Sequence, residues 1–125
     1  MNIKGLDHLV LTVASIEKSC KFYEEVLGVE VVYFGEGRTA LAFGNQKINL
    51  HETGNEFEPK AAAPTAGSGD LCFITATPIP LVIEHLASFH VPIEEGPVKR
   101  TGAQGEIDSV YIRDPDGNLL ELSTY

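Results

Sequence analysis

The order of predicted elements, which occurs twice along the chain, constrains the fold more than any other feature of the sequence. In the first half, the apolar and β-branched stretch Leu6–Val13 predicts a strand. Apolar residues then recur at helical spacing from Ser15 to Gly28, a residue type common at helix C-termini. Three further strands are predicted, parted by the glycine-containing turns "GEG" and "GNQ", over Val29–Phe34, Arg38–Phe43 and Lys47–Glu52.

The second half repeats this order after a loop over residues 53–69 that is rich in Gly, Pro and Ala. A strand is predicted in "DLCFITA", a helix in "PIPLVIEHLASFH" and three strands in "VPIEEGPVKR", "IDSVYIRD" and "NLLELST". A period of about 60 residues indicates paired modules. We therefore predict one α+β domain over residues 1–125, with one module over about 4–52, a linker over 53–69 and a second module over about 70–125. The two βαβββ modules are expected to form a curved mixed sheet around a concave crevice.

Composition narrows the classes of partner. A net charge of −9 and a pI of about 4.8 argue against binding to nucleic acid or to an anionic membrane, so a small molecule is the expected partner. No apolar run approaches the roughly 18 residues of a membrane-spanning helix, and the N-terminus does not resemble a signal peptide. We expect a cytoplasmic protein in which Cys20 and Cys72 are reduced, buried packing residues.

Strand alternation places three metal-type side chains on the less apolar faces of their strands. His8 lies opposite the apolar side of the first strand, and His51 shares its side of the fourth strand with Asn49. Glu121 follows the turn sequence "DPDGN" in the last strand and points away from Leu120. Imidazoles and carboxylates suit a divalent metal such as Zn, Ni, Fe, Co or Mn. Spacing alone is weak evidence, because a single strand histidine is more often a hydrogen-bonded pocket residue.

The repeated module and three sequence motifs resemble the vicinal oxygen chelate superfamily. The motifs are "LDHLVLTV", "SCKFYEEVLGVEVV" and "RDPDGNLLELS", and together they span nearly the whole chain. The superfamily includes glyoxalases, extradiol dioxygenases, and fosfomycin and bleomycin resistance proteins. Within it, the sequence is most similar to small glyoxalase domain-containing and virulence-associated proteins.

The resemblance implies metal ligands on the first and last strands of each module. The matching positions are His8, then His51 or Asn49, then Asp70, then Glu121. Many members have His at the position of Asp70, and glyoxalases usually have Glu or Gln on the fourth strand, so this chain departs from the pattern twice. We predict that His8, His51 and Glu121 hold a divalent metal. Glu121 and Asp70 are the predicted catalytic carboxylates, although Asp70 could equally be a turn residue.

Three functions are compatible with these residues. The resemblance favours a metal-dependent lyase or isomerase like glyoxalase I, which holds two adjacent oxygens of a small substrate on the metal while a carboxylate moves a proton. A set of two histidines and one carboxylate also suits extradiol ring cleavage with Fe(II). The third possibility is a binding or resistance protein that sequesters a ligand without turnover. In each case a homodimer is expected, since a lone chain would expose the edges of its sheets.

Overall fold

The structure is a computed structural model that describes residues 1–125. It contains eight strands and two helices in two compact units, Met1–Gly67 and Ser68–Tyr125. Unit 1 contains β1 (His8–Val13), α1 (Ile16–Leu27), β2 (Glu30–Phe34), β3 (Arg38–Phe43) and β4 (Gln46–Glu52). Unit 2 contains β5 (Asp70–Ile74), α2 (Ile79–Ser88), β6 (Glu95–Gly102), β7 (Gly105–Arg113) and β8 (Leu119–Thr124).

Helix α1 is fixed to one face of the first sheet by contacts at its N-terminus. The side chain of Ser15 caps the helix by accepting a hydrogen bond from the N–H of Lys18 at 3.2 Å. The carboxylate of Glu52, at the end of β4, accepts the N–H of Ile16 at 3.1 Å, where the helix dipole favours negative charge. Gly28 ends the helix with a φ of 69°, a left-handed conformation that glycine adopts without strain. The helix therefore covers the face of β4 that carries Glu52.

The first sheet has the strand order β1-β4-β3-β2, with β1 and β4 parallel and the other pairs antiparallel. Leu11 and Val13 of β1 and Leu50 of β4 are buried on the face covered by α1. The side chains that alternate with them form the opposite face, which we call the polar face of unit 1. Its members are His8, Val10, Thr12, Glu30, Val32, Phe34, Arg38, Ala40, Ala42, Lys47, Asn49 and His51.

The second sheet repeats the arrangement as β5-β8-β7-β6, with β5 and β8 parallel. Its apolar face is buried, and α2, which contacts β7, buries Val82 and Leu86. The apolar residues of this face are Val110, Ile112, Leu120 and Leu122. The alternating side chains form the polar face of unit 2, which includes Asp70, Cys72, Ser109, Tyr111, Arg113, Glu121 and Ser123, together with Ile74, Ile107 and Leu119.

The turn before β8 fixes the start of that strand against β5. Asp114 Oδ1 accepts the N–H groups of Asp116 and Asn118, and Asp114 Oδ2 accepts Asn118 Nδ2 at 2.7 Å. Asn118 Oδ1 in turn accepts the N–H of Gly69, also at 2.7 Å, just before β5 begins. Asn118 is fully buried, so these bonds are shielded from water. They set the register that places Glu121 beside Cys72.

The α+β class and the two βαβββ modules predicted from the sequence are confirmed, with a separate four-stranded sheet in each module. The main differences lie at strand ends. The first strand begins at His8 rather than Leu6, because the residues before His8 have no partner in the ladder with β4. β7 begins at Gly105, earlier than predicted, because Gly105 pairs with Gly102 to close a tight hairpin with β6. Neither helix has the length and apolar composition that crossing a membrane requires.

Candidate metal and substrate site

His8, at the start of β1, is already held in the way that metal-binding histidines usually are. Its Nδ1 lies 2.8 Å from Asp7 Oδ2, and its side chain is 45% exposed. A carboxylate at Nδ1 favours the tautomer that carries the proton there, which leaves the lone pair on Nε2 free. His8 can therefore donate Nε2 to a metal without losing its hydrogen bond to Asp7.

Two side chains of β4 are buried with an atom that has no hydrogen-bond partner. His51 is 3% exposed and Asn49 is 5% exposed, and both belong to the polar face of unit 1. His51 Nε2 and Asn49 Oδ1 make no hydrogen bond within the protein. Because a buried polar atom without a partner is costly, these atoms are suited to contact a ligand. His51 lines a cavity of about 230 Å³, together with Val10, Thr12, Pro59, Lys60, Ala61 and Pro64.

The surroundings of His51 favour its neutral form. Burial lowers the pKa of the ring below its ordinary value of 6.5, and the positive charges of Arg38 and Lys60 lower it further, whereas Glu56 acts in the opposite direction. The ring also meets the edge of Phe57, with 5.7 Å between the ring centroids. Neutral His51 can present Nε2 to a ligand as a donor or an acceptor.

The register of β1 and β4 separates the two predicted histidine ligands. His8 lies opposite Lys47, whereas His51 lies opposite Thr12. The offset between the two histidines is therefore about 13 Å along the strands, at about 3.3 Å per residue. Asn49 lies opposite Val10, which halves that offset to about 7 Å. Of the two β4 positions left open by the sequence, the register brings Asn49 closer to His8.

Hydroxyl groups of neighbouring serines hold the carboxylate of Glu121 in β8. Ser109 Oγ donates to Glu121 Oε2 at 2.6 Å and lies 2.7 Å from Ser123 Oγ. Ser123 Oγ also donates to Glu121 Oε2, at 3.3 Å, and it lies 3.4 Å from the Cys72 thiol. The side chain of Tyr111 forms a further hydrogen bond with this carboxylate.

The remaining residues of the polar face of unit 2 surround Glu121. Asp70 is exposed at the start of β5, where it pairs with Leu119 of β8. Burial raises the pKa of Tyr111, and the carboxylate of Glu121 adds to the effect, although the hydrogen bond from Arg100 opposes it. The prediction that Cys72 is buried is wrong, because β5 is an edge strand and leaves this residue exposed.

The donor atoms on the two polar faces are those that divalent transition metals accept: imidazole nitrogen and carboxylate or amide oxygen. Two of them, Asn49 Oδ1 and His51 Nε2, are buried and have no hydrogen bond within the protein, and the hydrogen bond of His8 to Asp7 uses Nδ1. The chemistry of the donor set therefore fits a metal. Within unit 1 or unit 2 alone, however, no group of three His, Cys, Asp or Glu side chains is placed to hold one ion.

Comparison with known proteins identifies the family of the chain. The family model of the Glyoxalase/Bleomycin resistance protein/Dioxygenase superfamily matches residues 5–122. The chain belongs to this superfamily. Members include metal-dependent enzymes, so the family is consistent with the donor set described above.

Several members of the superfamily are similar over the full chain. Virulence protein STM3117 of Salmonella typhimurium is 60% identical over 125 residues, which cover 100% of this chain and 87% of that protein. Its crystal structure has a TM-score of 0.98 and covers 100% of this chain and 99% of that one. Glyoxalase domain-containing protein RDO1 of Mycosarcoma maydis is 54% identical, with 100% of this chain and 70% of that protein covered. Metallothiol transferase FosB of Shouchella clausii is 27% identical, with coverage of 98% and 81%.

Residues that support the site were harder to find from the sequence than the donors themselves. Ser123 lies two residues after Glu121 in β8 and therefore on the same face, and Asp7 directly precedes His8. Sequence spacing alone could therefore indicate that these two residues lie near the donors. Ser109 lies on another strand, and its contact with Glu121 depends on the register of β7 and β8. Phe57 lies in the loop after β4, where no periodic pattern indicates which way a side chain points.

We predict that Arg38→Gln raises the pKa of His51, because the substitution removes a positive charge that disfavours the imidazolium. A proton NMR titration of the His51 ring measures this shift. Lys18→Gln, which removes an exposed charge from α1, is the matched control and should leave the titration unchanged. Equal pKa values for His51 in the wild type and in Arg38→Gln would show that the charge of Arg38 does not lower the pKa of His51.

The lowered pKa of His51 also makes the stability of the protein depend on pH. Since the folded pKa of His51 lies below the ordinary value of 6.5, its contribution to the free energy of unfolding is present above pH 6.5 and is lost as the pH falls through the folded pKa. The difference in stability between wild type and His51→Gln should therefore change in this acidic window. Urea denaturation at a series of pH values measures that difference.

Proposed function

We propose that the protein is a metal-dependent lyase or isomerase that acts on a small oxygenated substrate. The observation that carries the proposal is that each unit presents one metal-type donor with its supporting partner in place: His8 held by Asp7, and Glu121 held by Ser109. Such partners orient the ligand and leave the donor atom free. The similarity to a metallothiol transferase supports metal chemistry with a thiol co-substrate.

The proposed ligands of the metal are His8, Glu121 and a donor from β4. The sequence predicts His51 for the third position, and this stays a prediction. Register and charge favour Asn49 instead, because Asn49 lies nearer to His8 and because Arg38 and Lys60, which disfavour positive charge on His51, would disfavour a cation there too. His51 is then available to contact the substrate from the cavity that it lines.

A divalent metal at this site would hold two adjacent substrate oxygens and stabilise the negative charge that develops on proton removal. The chain supplies the proton transfer. Asp70 is exposed on the same face as Glu121, so it can accept a proton from substrate while Ser109 keeps Glu121 oriented. Glu121 can move the proton instead if its Oε1 is not engaged by the metal.

A binding protein without turnover is the second candidate, because neither unit alone holds three metal-type side chains together. The two candidates share a ligand pocket and differ in whether the bound molecule is converted. Extradiol ring cleavage shares the histidine and carboxylate ligands with the proposed lyase, but it requires Fe(II) and oxygen.

The experiment that tests the proposed function is turnover by metal-loaded protein, with methylglyoxal plus a thiol assayed before catechols. We expect conversion that depends on the added metal and that falls by at least about a hundredfold in His8→Ala and in Glu121→Ala, since each substitution removes a ligand. Metal content is measured on the same samples. His90→Asn, an exposed histidine outside both polar faces, is the control and should keep wild-type activity.

The outcomes separate the candidates. Conversion of catechols with Fe(II) but not of methylglyoxal would reassign the protein to ring cleavage. No conversion of either substrate with Zn, Ni, Fe, Co or Mn would reject the lyase and favour the binding protein.

We also propose that the working unit is a homodimer. The edge strands β1, β2 and β5 each carry an exposed apolar side chain, Val10, Tyr33 and Ile74 respectively. Exposed edges of this kind are commonly covered by a partner. Sedimentation should give twice the chain mass of 13.5 kDa at micromolar concentration, and a species of 13.5 kDa would contradict the dimer.

A mixture of variants tests how a dimer shares its ligands. If the two units that form one site come from different chains, a heterodimer of His8→Ala and Glu121→Ala protein regains one intact metal site. A confirmed heterodimer that binds no metal would show that both ligands come from one chain.

A further inference from the structure

We propose that the polar face of unit 1 carries a binding site for a small oxyanion, a carboxylate or a phosphonate, held by Arg38 and Lys47 beside His51. The inference rests on the proposed function only in taking this anion to be part of the substrate. The binding itself requires no metal and no turnover, so it can be tested separately.

The first observation is the charge state of these two cations. The chain has 9 Lys and Arg residues against 18 Asp and Glu residues, so basic side chains have an excess of possible partners. Arg38 and Lys47 are the two basic side chains that are partly buried, whereas the others are exposed. Neither forms an ion pair, although exposed cations such as Lys99 and Arg113 do. Partly buried cations without a counter-ion are suited to receive an anionic ligand.

The second observation is how aromatic rings hold the two cations. The Arg38 guanidinium lies 5.2 Å from the ring centroid of Phe34 and 4.8 Å from that of Phe57. Lys47 Nζ lies 3.7 Å from the ring centroid of Phe34. These contacts fix the positions of the charges but satisfy none of their N–H groups. The planar donors of Arg38 remain available for a two-oxygen contact.

The third observation is the pair of partnerless buried atoms on the same face. His51 Nε2 and Asn49 Oδ1 belong to side chains that are at least nine-tenths buried, and neither atom has a hydrogen bond. His51 lines the cavity of about 230 Å³, whereas Arg38 and Lys47 do not, so the cavity would take the uncharged part of the ligand. Drug-sized ligands occupy about 300 to 1,000 Å³, so this cavity suits a molecule of only a few heavy atoms.

The register of β3 and β4 explains why Arg38, Lys47 and His51 can contact one ligand. Ala40 and Ala42 of β3 lie directly opposite Asn49 and Lys47 of β4. Their side chains are short, and on this face the long chain of Lys47 reaches the ring of Phe34. Thr39 of β3 pairs with Leu50 of β4 in an antiparallel ladder. Arg38, one residue before Thr39, therefore lies beside His51, one residue after Leu50, on the same face. The anion is therefore expected between Arg38 and Lys47, with His51 within reach of its uncharged part.

The test is a titration of the isotope-labelled protein, without added metal, followed by amide and arginine side-chain NMR. The probes are pyruvate for the carboxylate, methylphosphonate for the phosphonate, and pyruvamide as the neutral counterpart of pyruvate. We expect saturable shifts at Arg38, Lys47 and His51 with at least one anion, and affinity for pyruvamide at least about tenfold weaker than for pyruvate because it lacks the charge. The anion that binds more tightly identifies the headgroup.

Variants show which groups carry the binding. Arg38→Gln and Lys47→Gln should each weaken the anion by about tenfold or more, and Arg38→Lys should weaken it less than Arg38→Gln because it keeps the charge but loses the planar donors. Lys18→Gln on α1 is the control with the same loss of charge and should bind as the wild type does. The dispersion of the amide spectrum shows whether each variant is folded, and Lys47→Gln serves if Arg38→Gln is not.

Two results would overturn the site: no saturable binding of either anion, or wild-type affinity in both Arg38→Gln and Lys47→Gln. Its failure is distinct from a failure of the proposed function. Anion binding that persists in His8→Ala, with no turnover in the wild type, supports the oxyanion site and rejects the lyase. Turnover by the wild type, with no saturable binding of pyruvate or methylphosphonate, supports the lyase and rejects the oxyanion site.

Discussion

The covering of one sheet face by a helix is the constraint on which the rest of unit 1 depends. The carboxylate of Glu52 receives the first N–H of α1, and this contact fixes the helix over the side of β4 that also carries Leu50. Because strand side chains alternate, every polar residue out of phase with Leu50 must face the other way. A shift of register by one residue would bury Lys47 under the helix and place the leucines in the pocket. The positions of Asn49 and His51 therefore follow from the packing of the core.

The same constraint explains what could be predicted from the sequence. Strand alternation gives the face of His8, His51 and Glu121 directly, and the repeated order of elements gives the α+β fold, which the structure confirms. Strand ends are less predictable, since β1 begins only where β4 offers a partner. The offset between His8 and His51 could not be predicted either, because it depends on how two distant strands are aligned. The contact of Ser109 with Glu121 has the same origin.

The two polar faces differ in chemistry: the face of unit 1 suits recognition of an anion, and the face of unit 2 suits binding of a metal. The face of unit 1 combines cations, aromatic rings and a neutral histidine, which are suited to recognise an anionic substrate. The face of unit 2 presents a carboxylate held by a chain of hydroxyl groups that ends at the Cys72 thiol. Although Cys72 is exposed overall, partial burial of its thiol raises the pKa of that group, and the hydrogen bond with Ser123 opposes the shift. The hydroxyl groups of Ser109 and Ser123 orient Glu121, as a metal ligand requires.

X-ray absorption spectroscopy of the zinc-loaded protein tests whether His8, Asn49 and Glu121 hold the metal, because it reports the atoms bound to the ion. We predict that oxygen and nitrogen atoms bind the zinc, with the scattering pattern of one imidazole from His8 and no sulfur, and that the imidazole pattern is lost in His8→Ala. A second imidazole would show that His51 is a ligand and that the assignment of Asn49 is wrong. A sulfur neighbour at the zinc–thiolate distance of about 2.3 Å would contradict the proposed site as a whole, because it would place the metal at a cysteine instead.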